Sequence, residues 1–509
     1  MTVEMYPIDN HNEKLIANVH PADWKNPEPN NPYNLVVVGA GTAGLVSAAA
    51  AAGLGARVAL IERSLMGGDC LNYGCVPSKG IIRAATACSD VHQAGNFGID
   101  IEGEVRSDFG KVMERMRALR AQISKADSVS RFKELGVDLF LGEGRFTSPR
   151  TLGVDGKELR FSKAVVATGA RASAPPIPGL EHVTYLNNET LFNLTAPPKR
   201  LAVIGAGPIG CEMAQTFQRL GTDVTLIELS NHILIKEDAD AAEIVQQALI
   251  HNRVTLALNA EKIIEVKQDG PSKSIQYFCG KTQQTCTVTA NEILVAVGRA
   301  PNVEDMGLEQ AGVEFDLRKG VKVNDQLQTT NTRIYAAGDV CSKYQFTHAA
   351  DFLARTVIAN ALFAGRQKVS ALTIPWCTYT DPQIAHVGIT EHEASQHNIE
   401  IDTYKQPLED VDRAILDGET EGFVKIHVAK GKDKILGATI VARHAGDMIG
   451  ELVMAITHKL GLGSVSKVIH PYPTQAEAIR RTGDLYSRTR LTPIVKKVMS
   501  VWFRWTRKR

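Results

Sequence analysis

The sequence predicts an α/β fold in which two Rossmann-like βαβ units are followed by a separate α+β domain. Three observations carry this reading. A strand–glycine–helix–strand pattern occurs twice, the copies related by one constant offset of 166 residues. Each copy is followed by an apolar strand that ends on glycine. From about Ile374 the pattern changes to alternating strands and then a long helical stretch from Ala445.

The composition bounds the rest. At 509 residues, 44% hydrophobic and 22% charged, the chain is long enough for several cores. A net charge of +1 gives no reason to expect a nucleic-acid partner. No N-terminal stretch reads as a secretory signal, and no run of about 18 apolar residues could span a bilayer. A cytoplasmic location is the default expectation.

In chain order, residues 1–32 are rich in Asn, Pro and charge and read as an extended arm, with Trp24 as its anchor. "LVVVGAGTAGLVSAAAAAGLGARVALIER" then gives a β-branched run, a glycine turn, an Ala-rich helix and a second apolar run. "RLAVIGAGPIGCEMAQTFQRLGTDVTLIEL" repeats it, so Gly39, Gly41, Gly44 and Glu62 map onto Gly205, Gly207, Gly210 and Glu228. The acidic residue falls 23 positions after the first glycine in both copies. Together these make a complete fingerprint: glycines for the tight turn, a helix N-terminus for a pyrophosphate and a carboxylate for a ribose hydroxyl. Two dinucleotides are implied. Later strands end at Thr168-Gly169, Gly298 and Gly338-Asp339, termini that let backbone approach a ligand closely.

Of eight cysteines, Cys70 and Cys75 stand apart in "GGDCLNYGCVPSK". A regular helix advances about 7.5 Å over five residues, beyond the roughly 7 Å Cα limit for a disulfide, so a tightened turn is needed, and Gly74 permits one. "PSKGIIRAATA" reads as helix, which places both thiols near a helix N-terminus with Lys79 close by. Such a setting lowers thiol pKa. A redox-active pair is the expectation. Cys279 and Cys286, the other close pair, complete no zinc site.

With these residues in place, the chain resembles the flavin-dependent pyridine nucleotide-disulfide oxidoreductases, the family of dihydrolipoamide dehydrogenase, glutathione reductase and mercuric reductase. From Tyr33 to about Arg490 it has, in the family's order, both dinucleotide motifs, CxxxxC, ATG, GRxPN and AAGD. The resemblance implies an FAD domain in two parts (33–190 and 291–370), an NAD(P)H domain (191–290), a dimerisation domain (371–490) and a basic amphipathic tail (491–509). It implies that Gly39, Gly41, Gly44, Glu62, Gly68, Thr168, Gly169, Asp339 and His348 hold FAD. It also implies that Gly205, Gly207, Gly210, Glu228 and Gly298 serve the nicotinamide nucleotide. Cys75 would face the flavin, Cys70 would exchange with substrate, and Lys79 would sit near the flavin with Glu212 as its partner. A homodimer follows from the same resemblance.

Glu228 favours a free ribose 2′-hydroxyl and hence NADH, while Ser230, Asn231 and His232 keep NADPH open. For the acceptor the informative stretch is "HPYPTQAE". The family's disulfide-handling members place a His five residues before a Glu here, but this chain has Tyr472 before Glu477, with His470 displaced by two. Tyrosine, with a reference pKa near about 10, does not cycle a proton at neutral pH. Mercuric reductases also carry a tyrosine in this region, so the expectation is a thiophilic metal ion, Hg(II) first, bound transiently by Cys70 and Cys75. The chain has no cysteine after Cys377, where those enzymes typically end in a cysteine pair. Dihydrolipoamide dehydrogenase or another disulfide reductase is the alternative, and a membrane-associated redox-sensing or electron-donating flavoprotein is the alternative of another class. From Ser487 to Arg509 there are eight Lys/Arg and no acid, with apolar residues at helical spacing. That suits either a helix packed on the dimer or peripheral contact with an anionic membrane on its inner face.

Overall fold

The strand Tyr33–Val38 lies between two cores because its run is apolar on both faces. Leu35 and Val37 pack with Ala48, Leu60 and Val357, whereas Val36 and Val38 pack with Ile61, Phe140 and Phe161. Burial on both sides produces a continuous apolar run rather than alternation. The computed structural model describes residues 5–507, so the two ends of the expected arm and tail, 1–4 and 508–509, lie outside the described residues. Two compact units form: Met1–Gly205 with Thr216–Leu229 and Ala260–Leu372, and Ala206–Gln215 with Ser230–Asn259 and Thr373–Arg509.

In the first unit, parallel strands run in the order Val137–Leu141, Val58–Glu62, Tyr33–Val38, Lys157–Val166, Ile334–Ala336. The helices Thr42–Gly53 and Thr347–Leu362 contribute to the core on one face. A second parallel set is formed by Asp223–Ile227, Arg200–Ile204 and Glu292–Val295. The repeat in sequence is also a repeat in geometry. Gly39 donates to the Ile61 carbonyl and Gly205 to that of Ile227, both at 2.8 Å, and their φ angles are +101° and +100°.

The expectation of an extended arm over residues 1–32 is corrected: Asn10–Val19 is a helix. Asp9 caps it, its carboxylate accepting from the N–H groups of His11 and Asn12, and Leu15 and Val19 are fully buried. Arg120, itself fully buried, donates to Asn12 Oδ1 at 2.7 Å. The apolar stripe is only about one turn long, too short to stand out among Asn and Pro. Trp24 does act as an anchor, packing on the core with the Lys133 ammonium 6.0 Å from its ring centroid.

The second unit is built on an antiparallel sheet ordered Pro375–Thr378, Gln383–Gly388, Ile435–Ala442, Phe423–Ala429, Ile401–Pro407. Val424, Ile426, Ala438 and Ile440 share a core with the helices Ala445–Thr457 and Glu477–Thr489. The intervening residues Lys425 and His427 of the strand Phe423–Ala429 are buried but polar. The Lys425 ammonium, 1% exposed, lies 2.9 Å from Asp238, 2.7 Å from Asp240 and 3.0 Å from Glu391. Burial alone would raise the Asp238 pKa, but hydrogen bonds from His427 and Lys425 hold it well below the usual carboxylate range.

Removing one partner of a buried ion pair leaves an uncompensated charge, so Lys425→Met is expected to cost about 3–5 kcal/mol. A urea titration checks this. An unchanged midpoint would mean that the cluster contributes nothing to stability.

Candidate active site

Two short-range features position the thiols. Cys70 lies in the helix Gly68–Asn72, and Cys75 opens the helix Cys75–His92. The chain breaks between them at Tyr73-Gly74, which is why two cysteines that one regular helix would hold apart can meet. Gly74 fits because a Cβ there would lie 3.0 Å from the Asp69 carbonyl oxygen. Both cysteines are free thiols, and their side chains hydrogen-bond to each other.

The pair is electrically asymmetric. The hydrogen bond from Cys70 is the largest influence on Cys75 and lowers its pKa to about 6, against a burial effect that raises it. The Thr347 hydroxyl, 3.3 Å from Cys75 Sγ, and the charge of Lys79 lower it further. Cys70 moves the other way, raised first by its hydrogen bond with Cys75 and then by burial. One proton between two sulfurs thus resides on Cys70, and Cys75 is the thiolate at neutral pH.

The cysteine segment rests directly on the first glycine turn. A Cβ at Gly68, whose φ is +58°, would lie 2.6 Å from Gly41 Cα, and one at Gly44 would lie 1.8 Å from the Gly39 carbonyl oxygen. Gly41 caps the helix Thr42–Gly53 without a side chain, leaving first-turn N–H groups uncovered, as a pyrophosphate requires. Glu62 is buried at the end of its strand, each carboxylate oxygen accepting a backbone N–H, from Ala40 and from Ser64, both at 2.7 Å. Nearby, Arg299 reaches Asp69 at 3.2 Å and Asp339 at 3.4 Å, while its buried Nε has no partner. Burial raises the Asp339 pKa, and Arg299 counters that rise. An unpaired buried donor, a side-chain-free cradle and a fixed carboxylate are the donor set a flavin dinucleotide needs, and these residues fit FAD.

Other expected residues are placed as follows. Thr168 spends its hydroxyl on the Asn302 carbonyl at 2.7 Å, tying the ATG and GRxPN segments together, with Gly169 and Gly298 in the left-handed region at φ +67° and +77°. His348 is exposed and stacks on Phe346, centroids 5.4 Å apart. A Cβ at Gly205 would strike the Val297 side chain at 2.2 Å, whereas Gly207 faces open space, Gly210 is buried and Glu228 is half-buried. Glu212 is buried and accepts from the Tyr379 N–H at 2.9 Å.

Near the end of the second unit, Tyr472 is 72% exposed and donates to Asp412 at 2.9 Å, a bond that raises its pKa. Glu477 is held by Arg480 at 2.6 Å and Arg481 at 3.4 Å. Tyr472 and Glu477 are therefore joined through Asp412 and Arg481, which are 3.5 Å apart, rather than directly. His470 Nε2 faces Glu451 at 2.9 Å and Nδ1 faces the Val468 carbonyl at 3.3 Å. Sequence reasoning missed Thr347, Arg299, Asp412, Glu451 and Arg120. Arg120 also donates to the Asn72 carbonyl between the two cysteines at 2.7 Å. Of these, only Arg299 lay inside a recognised motif.

Two nucleotide-type turns, one of them carrying a dithiol whose sulfurs share a proton, define a nicotinamide-dependent flavoprotein of the disulfide type. The chain belongs to the pyridine nucleotide-disulphide oxidoreductases: that family's model matches residues 33–352 and the model of its dimerisation domain matches 374–482. It is an FAD-dependent NAD(P)H oxidoreductase with a dimerisation domain. A mercuric reductase of Bacillus cereus is 36% identical over 456 residues, 89% of this chain and 72% of the relative. A dihydrolipoyl dehydrogenase of Corynebacterium glutamicum is 33% identical over 464 residues, 88% of this chain and 96% of the relative. Among solved structures, the Cu(II) complex of the HOCl-induced flavoprotein disulfide reductase RclA of Escherichia coli has a TM-score of 0.79 at 26% identity, covering 89% of this chain and 99% of that one. LpdA of Mycobacterium tuberculosis has a TM-score of 0.81 at 25% identity, with 89% and 99% covered. Among the described residues no helix is long and apolar enough to cross a membrane.

Alkylation of the reduced protein by iodoacetamide, followed at Cys75 by mass spectrometry, should accelerate through a midpoint of about 6 and level off by neutral pH. Cys70→Ala and Lys79→Met should each move that midpoint upward. A midpoint near the ordinary thiol value of about 8.5 in the unmutated protein would contradict the assignment.

Proposed function

We propose that the protein works as a cytoplasmic homodimer that oxidises NADH in preference to NADPH and reduces a thiophilic metal ion, Hg(II) first, to the metal. The observation that carries the acceptor is the state of the proton-handling groups at 470–477. Reducing a disulfide substrate requires a base that gives a proton to the leaving thiol and takes it back, a contribution of about 10² to 10⁴-fold. Tyr472 has its pKa raised by Asp412. His470 is already engaged at both ring nitrogens, Nε2 at 2.9 Å from Glu451 and Nδ1 at 3.3 Å from the Val468 carbonyl. A soft cation needs no such base, since thiolates bind it directly and its release as the neutral metal protonates nothing.

In this reading the cation binds across the pair, Cys75 offering its thiolate and the outer Cys70 releasing its proton to solvent as its sulfur closes on the metal. Lys79 and Thr347 hold negative charge on Cys75 while the metal is absent. FAD, when bound, supplies the two-electron relay from the nicotinamide, one electron pair per Hg(II) reduced to Hg(0). Glu228 supports NADH, because a carboxylate at the end of that strand accepts a ribose hydroxyl and repels a 2′-phosphate. The Cu(II) complex of the RclA relative adds support for metal handling on this fold.

NADH oxidation by the purified protein is to be compared with Hg(II) in excess thiol, lipoamide and oxidised glutathione as acceptors, and repeated with NADPH. Hg(II) should be the best acceptor, Cys70→Ala should abolish its turnover, and Tyr472→His should raise lipoamide turnover at least tenfold without improving Hg(II). Lipoamide as the best acceptor of the unmutated protein would overturn the metal reading, and a tenfold preference for NADPH would overturn the nucleotide assignment.

A further inference from the structure

The helix Pro493–Thr506 is well formed, with Thr492 accepting from the Val495 N–H as its cap and Pro493 in the first turn, yet none of its residues is buried. It lies outside both family matches, which end at residue 482, so neither the catalytic fold nor the family's dimerisation domain accounts for it. At about 3.6 residues per turn, Ile494, Val498, Met499, Trp502 and Trp505 fall on one broad face. Lys496, Lys497, Arg504 and Arg507 fall on the other. Ile494 is 76% exposed and Trp502 53%, and the rings of Trp502 and Trp505 lie 5.2 Å apart. An apolar face this continuous is covered in use.

The charge pattern selects what covers it. Eight Lys/Arg and no acid occur from Ser487 to Arg509 in a chain whose net charge is only +1. Packing against a second copy would set two basic edges side by side. An anionic lipid surface satisfies both faces at once, because the apolar side enters the headgroup boundary and the basic side meets lipid phosphates, with indole rings at the interface they favour. The helix is about 21 Å long, too short to cross the hydrocarbon core. We propose that Pro493–Thr506 lies in the plane of an anionic lipid surface and holds the enzyme there.

The full-length holoprotein is to be floated with vesicles of phosphatidylcholine alone and of an equimolar phosphatidylcholine/phosphatidylglycerol mixture. It should bind the anionic vesicles at least about tenfold more tightly, with the difference closing as salt is raised. The pair Trp502→Ala and Trp505→Ala, and separately Lys496→Gln with Lys497→Gln, should each weaken binding by about tenfold or more while NADH turnover in solution stays unchanged. Failure to float with the anionic vesicles, or equal binding to both kinds, overturns the proposal. So does unchanged vesicle binding by the tryptophan pair accompanied by a loss of oligomer in light scattering, which would make a second copy the occupant.

Discussion

The contact on which the candidate site depends is backbone against backbone: Gly68, at the start of the cysteine segment, sits so close to Gly41 in the nucleotide turn that a side chain on Gly68 would come within 2.6 Å of Gly41 Cα. No side-chain pair could bring the two segments this near, because even a methyl group fills the space. The contact fixes where the dithiol lies relative to the first nucleotide turn. The neighbouring approach of Gly44 to Gly39 locks the helix Thr42–Gly53 onto the same turn. Binding and redox chemistry are thus joined through main chain, where Gly68 meets Gly41.

Around that contact the charges are arranged to favour one sulfur. Asp69 disfavours a thiolate at either sulfur, and Arg299 lies 3.2 Å from it and 3.4 Å from Asp339. The hydrogen bond between the two sulfurs is the largest influence that lowers Cys75 and raises Cys70, and Thr347 and then Lys79 add to it on Cys75. Arg120 extends the arrangement outward. It is a buried guanidinium tied to the Asn72 carbonyl inside the CxxxxC segment and to Asn12 on the N-terminal helix, so that helix braces the redox segment from behind.

What the sequence made legible is what local backbone demands. The glycines at 39 and 205 announced themselves because each needs a positive φ and has no room for a side chain, and the offset of 166 residues reappears as matching hydrogen bonds. The cysteine pair was legible for the same reason, since Gly74 and the following helix are written beside it. Thr347, 272 residues from Cys75, left no local trace. Neither did the choice of Glu451 for His470 or of Asp412 for Tyr472, because packing selects such partners among many carboxylates of equal sequence merit. The helix at 10–19 escaped notice because its burial depends on residues such as Arg120, 108 positions from Asn12.

The most direct test of the central claim is the FAD content of Gly68→Ala purified as the full chain, measured together with the rate at which NADH reduces its cysteine pair. The glycine contact predicts a folded protein by circular dichroism that retains little flavin and reduces Cys70 and Cys75 at least about tenfold more slowly, since the added methyl forces the two segments apart. A variant that binds a full equivalent of FAD and reduces its cysteines at the unmutated rate would contradict the account.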